Sequence, residues 1–129
     1  MDKLTMVYVT PEFVDVREVE PTLETYYEML DCDMIEMPSR KIGDKYYDVI
    51  CDEEGLLKPD PILSGFNSER CEPMIVGKLL ICNVADDEGR EVGLTEEDVR
   101  NILDHVAVLE YHITGSDETK RASAVNMDY

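Results

Sequence analysis

The stretch Met74–Val84, MIVGKLLICNV, is the most apolar segment of the chain, and its reading decides the fold. Aliphatic residues run through it with few polar interruptions, and several are β-branched. A short run of this kind predicts a central strand. Gly77 inside it implies a bulge or a close packing contact, because glycine otherwise weakens a strand.

Working outward, Leu4–Thr10 and Phe13–Val19 read as two strands joined at Pro11-Glu12, a hairpin in which Pro11 disfavours the tightest turns. Glu20–Asp31 predicts a helix: Pro21 suits its first turn, and Leu23, Tyr26, Tyr27 and Leu30 fall at helical spacing. Cys32–Met37 and Lys45–Cys51 read as strands, with Pro38–Gly43 as the turn between them. Leu56–Pro73 then reads as a long irregular loop, a length often functional or mobile. Thr95 is a good N-cap with Asp98 at the capping-box position, opening a helix predicted over Glu96–Glu110. The order is β-β-α-β-β-loop-β-α. Without a βαβα rhythm, this predicts an α+β fold: a mostly antiparallel sheet of about five strands with two helices packed on it. Residues 1–111 form one expected domain, and 112–129 a polar, flexible C-terminal tail.

The chain has 129 residues, 30 Asp and Glu against 12 Lys and Arg, and a net charge of −18. A magnitude of about 2–8 is usual for a small domain. Such a surface is repelled by phosphate, so direct nucleic-acid binding and attachment to an anionic membrane are not expected. A basic protein partner is. Solubility, or life at high salt, accounts for the same composition. No apolar run is long enough to span a membrane, and the N-terminus does not read as a signal peptide. Cys32, Cys51, Cys71 and Cys82 lack C-x-x-C spacing, and reduced thiols are expected.

Chemical motifs are sparse. His105 and His112 have no Ser or Cys nucleophile near them in sequence, so no catalytic residue is assigned and no enzyme is expected. Asp52-Glu53-Glu54-Gly55 fails the calcium-loop pattern, since its glycine comes too early and Leu63 holds the twelfth position. Asp86-Asp87-Glu88-Gly89 repeats that acid-glycine form, and both read as turns. No phosphate loop and no zinc spacing occur, so no metal and no cofactor are expected. The more specific feature is a line of acids, Glu20, Glu24 and Glu28 at i, i+4, i+8 with Asp31 beyond. Carboxylates one turn apart stand about 6 Å from each other and can imitate the charge of a nucleic acid strand.

VREVEPTLETYYEMLDCDMIEM (Val16–Met37), ICDEEGLLKPDP (Ile50–Pro61), IVGKLLICNVADDEG (Ile75–Gly89) and LTEEDV (Leu94–Val99) together resemble, in order, a small uncharacterised domain family. That family occurs in phages and mobile elements of Gram-positive and gut bacteria. It often has Gly-Gly where this chain has Asp31-Cys32-Asp33, and L-P-x-N where it has Pro59-Asp60-Pro61. The resemblance implies a cytoplasmic protein of a bacterial host cell, encoded by a phage or mobile element, and carries no activity with it.

The leading expectation is a non-enzymatic acidic binding protein, a nucleic-acid mimic that blocks a basic host protein. Its partner-binding face would be Glu20, Glu24, Glu28, Asp31, Asp86, Asp87 and Glu88. The alternative is a protein that sequesters a small molecule or nucleotide beneath the 56–73 loop, through Lys58, Asn67 and Arg70.

Overall fold

A computed structural model describes residues 2–58, 61–112, 115 and 117–129. Two sheets organise them. The first has six strands: β1 (Leu4–Val9), β2 (Val14–Val19), β3 (Ile35–Glu36), β4 (Ser39–Ile42), β5 (Lys45–Asp52) and β8 (Leu79–Asn83). Its order is β2-β1-β8-β5-β3, with β4 also on β5, and all pairs are antiparallel. The second sheet has four strands, in the order β7 (Glu72–Val76), β6 (Leu63–Asn67), β10 (Thr119–Asn126), β9 (Val106–His112). Its β6–β10 pair is parallel and the others are antiparallel. With helices α1 (Leu23–Leu30) and α2 (Glu96–Leu103), this is an α+β architecture, but with ten strands rather than about five.

The first sheet is buried on both faces, which is why its inner strands are apolar without alternation. Val7, Val9, Val49, Leu79 and Ile81 point to one side, where they meet Ile102 of α2, Ile75 and Val125 of the second sheet, and Met127 just past it. Met6, Tyr8, Ile50, Leu80 and Cys82 point to the other, against Tyr26 and Leu30 of α1. Each successive residue changes face, so a fully covered strand needs an apolar residue at every position.

The run Met74–Val84 is thus not one strand. It breaks at Gly77, whose φ of +85° is costly for any residue with a Cβ. A Cβ there would touch nothing, so the glycine serves a turn and not a packing contact. The chain leaves the second sheet at β7 and enters the centre of the first at β8.

Three further expectations are corrected. The helix expected to reach Glu110 stops at Leu103, and Val106–His112 forms β9. Its β-branched residues find a partner in β10, and that pairing overrides the helical continuation. The 56–73 loop contains a 3-10 turn at Gly55–Leu57, all of β6 and the start of β7. The segment expected as a polar tail carries β10, which buries Ala122, Ala124 and Val125. TKRASAVN hides a strand because two of those buried residues are small and add little to its hydropathy.

Candidate functional site

Helix α1 is short because both ends are capped. Thr22 accepts from the Thr25 amide at the start, and Asp31 takes a left-handed conformation (φ 53°) at the end, its N–H bonded to the Tyr27 carbonyl. The acidic row expected over Glu20, Glu24, Glu28 and Asp31 therefore shortens. Only Glu24 and Glu28 share a helical face, and both are exposed. Glu20 lies ahead of the N-cap. Asp31 pairs with Lys78 at 3.1 Å, and that ammonium holds its carboxyl below the usual range.

The second acidic group is a closed turn. Asp86 accepts from the Arg90 and Glu88 amides at 3.0 and 2.9 Å, and the Arg90 guanidinium reaches both Asp86 and Glu88. The Arg90 amide leads the set of donors that lowers the Asp86 pKa. Asp87, exposed beside them, has no ion pair among the described residues.

Lys58, Asn67 and Arg70 do not converge. Lys58 is held by the Asp52 carboxylate at 2.9 Å and donates to the Asp31 carbonyl. Asn67 is buried: its amide donates to the Met127 carbonyl and its oxygen caps the Arg70 amide. Arg70 bridges Glu72 and Asp128, each at 2.9 Å, and lies over the Tyr129 ring. All three residues tie the structure together.

The polar centre that sequence spacing could not reveal surrounds Asp98. This carboxylate is 4% exposed. Its Oδ1 accepts from Lys45 Nζ at 2.7 Å and the Tyr47 hydroxyl at 3.1 Å; its Oδ2 accepts from Asn83 at 2.8 Å and from the Thr95 amide and hydroxyl at 3.0 Å each. Burial works to raise its pKa, but the hydrogen bonds from Lys45, Thr95 and Asn83 outweigh it and hold the group ionised well below the usual carboxylate range. Only the capping-box role of Thr95 and Asp98 was legible in sequence; Lys45, Tyr47 and Asn83 arrive from distant strands.

Next to this network, Asn101 donates to Tyr47, and its carbonyl lies 2.7 Å from His105 Nδ1. A carbonyl can only accept, so that nitrogen carries the proton. A polar cavity of about 230 Å³ opens there, lined by Lys41, Asn67, Ser68, His105, Asn126 and Asp128 among others. In it the Ser68 hydroxyl accepts from the Asn126 amide, and His105 Nδ1 is taken up by the Asn101 carbonyl. Among the described residues no three His, Cys, Asp or Glu side chains cluster as metal ligands, and no helix is long and apolar enough to cross a membrane.

Neither the curated proteins nor the solved structures compared with this chain gave a match. A family match does exist, and it begins in β1 and runs through the central sheet and both helices into β9. On that match, over residues 4–107, the chain belongs to the family described as Domain of unknown function (DUF3846).

Proposed function

We propose that this protein is a non-enzymatic acidic binding protein that occupies the nucleic-acid-binding surface of a basic protein, with its carboxylates standing in for phosphates. In this reading it is a phage or mobile-element product, and its partner is a protein of the bacterial host, such as a defence component. One observation carries the proposal. More than half of the cationic side chains (Arg17, Lys45, Lys58, Arg70, Lys78, Arg90 and Lys120) are already in ion pairs with the chain's own acids. Since Asp and Glu outnumber Lys and Arg by 30 to 12, the outer surface is left with unmatched carboxylates. Among the described residues, Glu20, Glu24, Glu28 and Asp87 make no ion pair. Such a field steers a basic partner and strengthens at low salt.

The test is retention of basic host proteins on the immobilised chain at low salt, with duplex DNA as competitor. The expected result is a nucleic-acid-binding protein released by either salt or DNA. The Glu24→Lys, Glu28→Lys variant should bind about tenfold more weakly at low salt, with a flatter salt dependence. Retention indifferent to salt and DNA refutes the proposal, and unchanged affinity in that variant takes α1 out of the contact surface.

A second reading, a small-molecule or nucleotide sequestering protein, has the polar cavity at Asn67 and His105 in its favour. The cavity, at about 230 Å³, falls short of the roughly 300–1,000 Å³ that ligand sites usually offer. Of the three residues expected to grip the ligand, Lys58 is held by Asp52 away from the cavity, and the Arg70 guanidinium is taken up by Glu72 and by Asp128 of the cavity wall. The first reading is therefore preferred.

A further inference from the structure

A groove of about 120 Å³ runs between the β3–β5 edge of the first sheet and β7, the edge strand of the second. Its floor is apolar, formed by Gly55, Met74, Ile75 and Val76. Gly55 lies so close to β7 that a Cβ would stand 3.1 Å from the Val76 carbonyl. Leu56 and Leu57 project beside it, 76% and 79% exposed, the most exposed large apolar side chains described. Adjacent leucines this bare are unfavourable in water unless something covers them.

The rim is acidic. Glu36, Glu53 and Glu54 all line the groove and are exposed, and none of them has an ion pair among the described residues. Asp33 lies nearby in sequence, and Met34, exposed next to it, accepts the Glu53 amide at 3.0 Å. The nearby cations are already engaged, Lys58 by Asp52, a carboxylate of the groove lining itself. Arg40 lies over the Tyr129 ring and donates to the Ser39 carbonyl. An apolar floor inside a carboxylate rim matches the build of an arginine, whose methylene stem seeks apolar surface while its guanidinium seeks carboxylate.

We propose that this groove is where the basic partner docks, through an arginine-rich segment of its chain. The stem of an arginine lies along Leu56, Leu57 and Met74, and its guanidinium sits among Glu36, Glu53 and Glu54. The inference rests on the reading of the protein as a ligand of a basic partner and adds the place of contact, away from the acids of α1.

The test is titration of the full-length chain with a peptide alternating arginine and leucine, and with its counterpart carrying neutral citrulline for arginine. Calorimetry gives the affinity and backbone amide shifts give the place. The expected result is saturable shifts at Gly55, Leu56 and Leu57 with the arginine peptide and little binding of the citrulline peptide. The Glu53→Gln, Glu54→Gln and the Leu56→Ser, Leu57→Ser variants should each weaken binding about tenfold. These side chains are exposed, so the variants should melt as the wild type does. If the arginine peptide binds but shifts α1 instead, and both variants keep their affinity within a factor of about two, the groove is overturned while the broader reading stands. If neither peptide binds at low salt, both fall.

Discussion

Replacing Asp98 with alanine should destabilise the protein far more than replacing its ion-pair partner. The carboxylate is the meeting point of β5, β8 and the start of α2, through Lys45 and Tyr47, Asn83, and Thr95. Asp98→Ala removes half of the capping box, worth about 1 kcal/mol. It also leaves the Asn83 amide and the Tyr47 hydroxyl without their acceptor, at about 1–1.5 kcal/mol each. The Lys45 side chain is 50% exposed, so its charge returns to water and its pair with Asp98 contributes at most about 1 kcal/mol. The parts come to about 3–4 kcal/mol for Asp98→Ala, against about 1 kcal/mol or less for Lys45→Ala. Urea unfolding followed by circular dichroism measures both. The pH dependence follows from the same site. The folded-state pKa of Asp98 is depressed, so its contribution is fully present above the ordinary carboxylate pKa of about 4. It is lost as pH falls from there toward the depressed value. Wild type should therefore lose stability in acid more steeply than Asp98→Asn. A Lys45→Ala cost equal to that of Asp98→Ala, or identical acid slopes, would refute the central role given to the buried hydrogen bonds.

Two other predictions concern the fold. Gly77→Ala should cost about 1–2 kcal/mol through backbone strain alone, since its φ is +85° and an added methyl meets no neighbour; a stabilised variant in thermal melts would contradict the turn assigned there. Truncation before Thr119 should abolish cooperative unfolding, because β10 is the strand that joins β6 to β9 and it carries Val125 into the core. Retention of a sharp melting transition by the truncated chain would show that the second sheet does not need it.

The inner half of the fold was legible in sequence, and the outer half was not, for a physical reason. Strands β1, β5 and β8 are covered on both faces, so they announce themselves as apolar runs, as MIVGKLLICNV does. The start of α2 was legible because caps are local chemistry, read from Thr95 and Asp98 within one turn, whereas α1 begins at Leu23, three residues later than expected. The second sheet is different. Strand β6, LSGFN, holds a buried serine, glycine and asparagine, and β10 is held beside it by a parallel pairing across nearly half the chain. Nothing local predicts such a partner. The same limit governed the sites. Lys58, Asn67 and Arg70 looked available because their carboxylate and carbonyl partners, Asp52, Met127 and Asp128, are contributed by other elements. His105 came to line a cavity only because Asn126 and Asp128 fold back to it.

The placement of the cations separates the two explanations of the negative charge. Lys45 ties β5 to α2, Lys78 ties the turn after β7 to the end of α1, and Arg70 ties the β6–β7 connection to Asp128, just past β10. These three cations join separate elements, while Arg17 and Arg90 pair with acids of their own strand or turn, and every such pair takes an acid out of the outer field. Glu24, Glu28, Glu53 and Glu54 form no ion pair among the described residues. They repel one another, so neutralising them should leave stability unchanged or raise it slightly. A solubilising role requires only that some excess charge remain, wherever it sits. A binding role requires particular carboxylates. Neutralising Glu53 and Glu54, or Glu24 and Glu28, one pair at a time keeps most of the −18 charge and therefore solubility. Loss of partner affinity from one pair but not the other, with stability steady, can come only from a surface that is recognised.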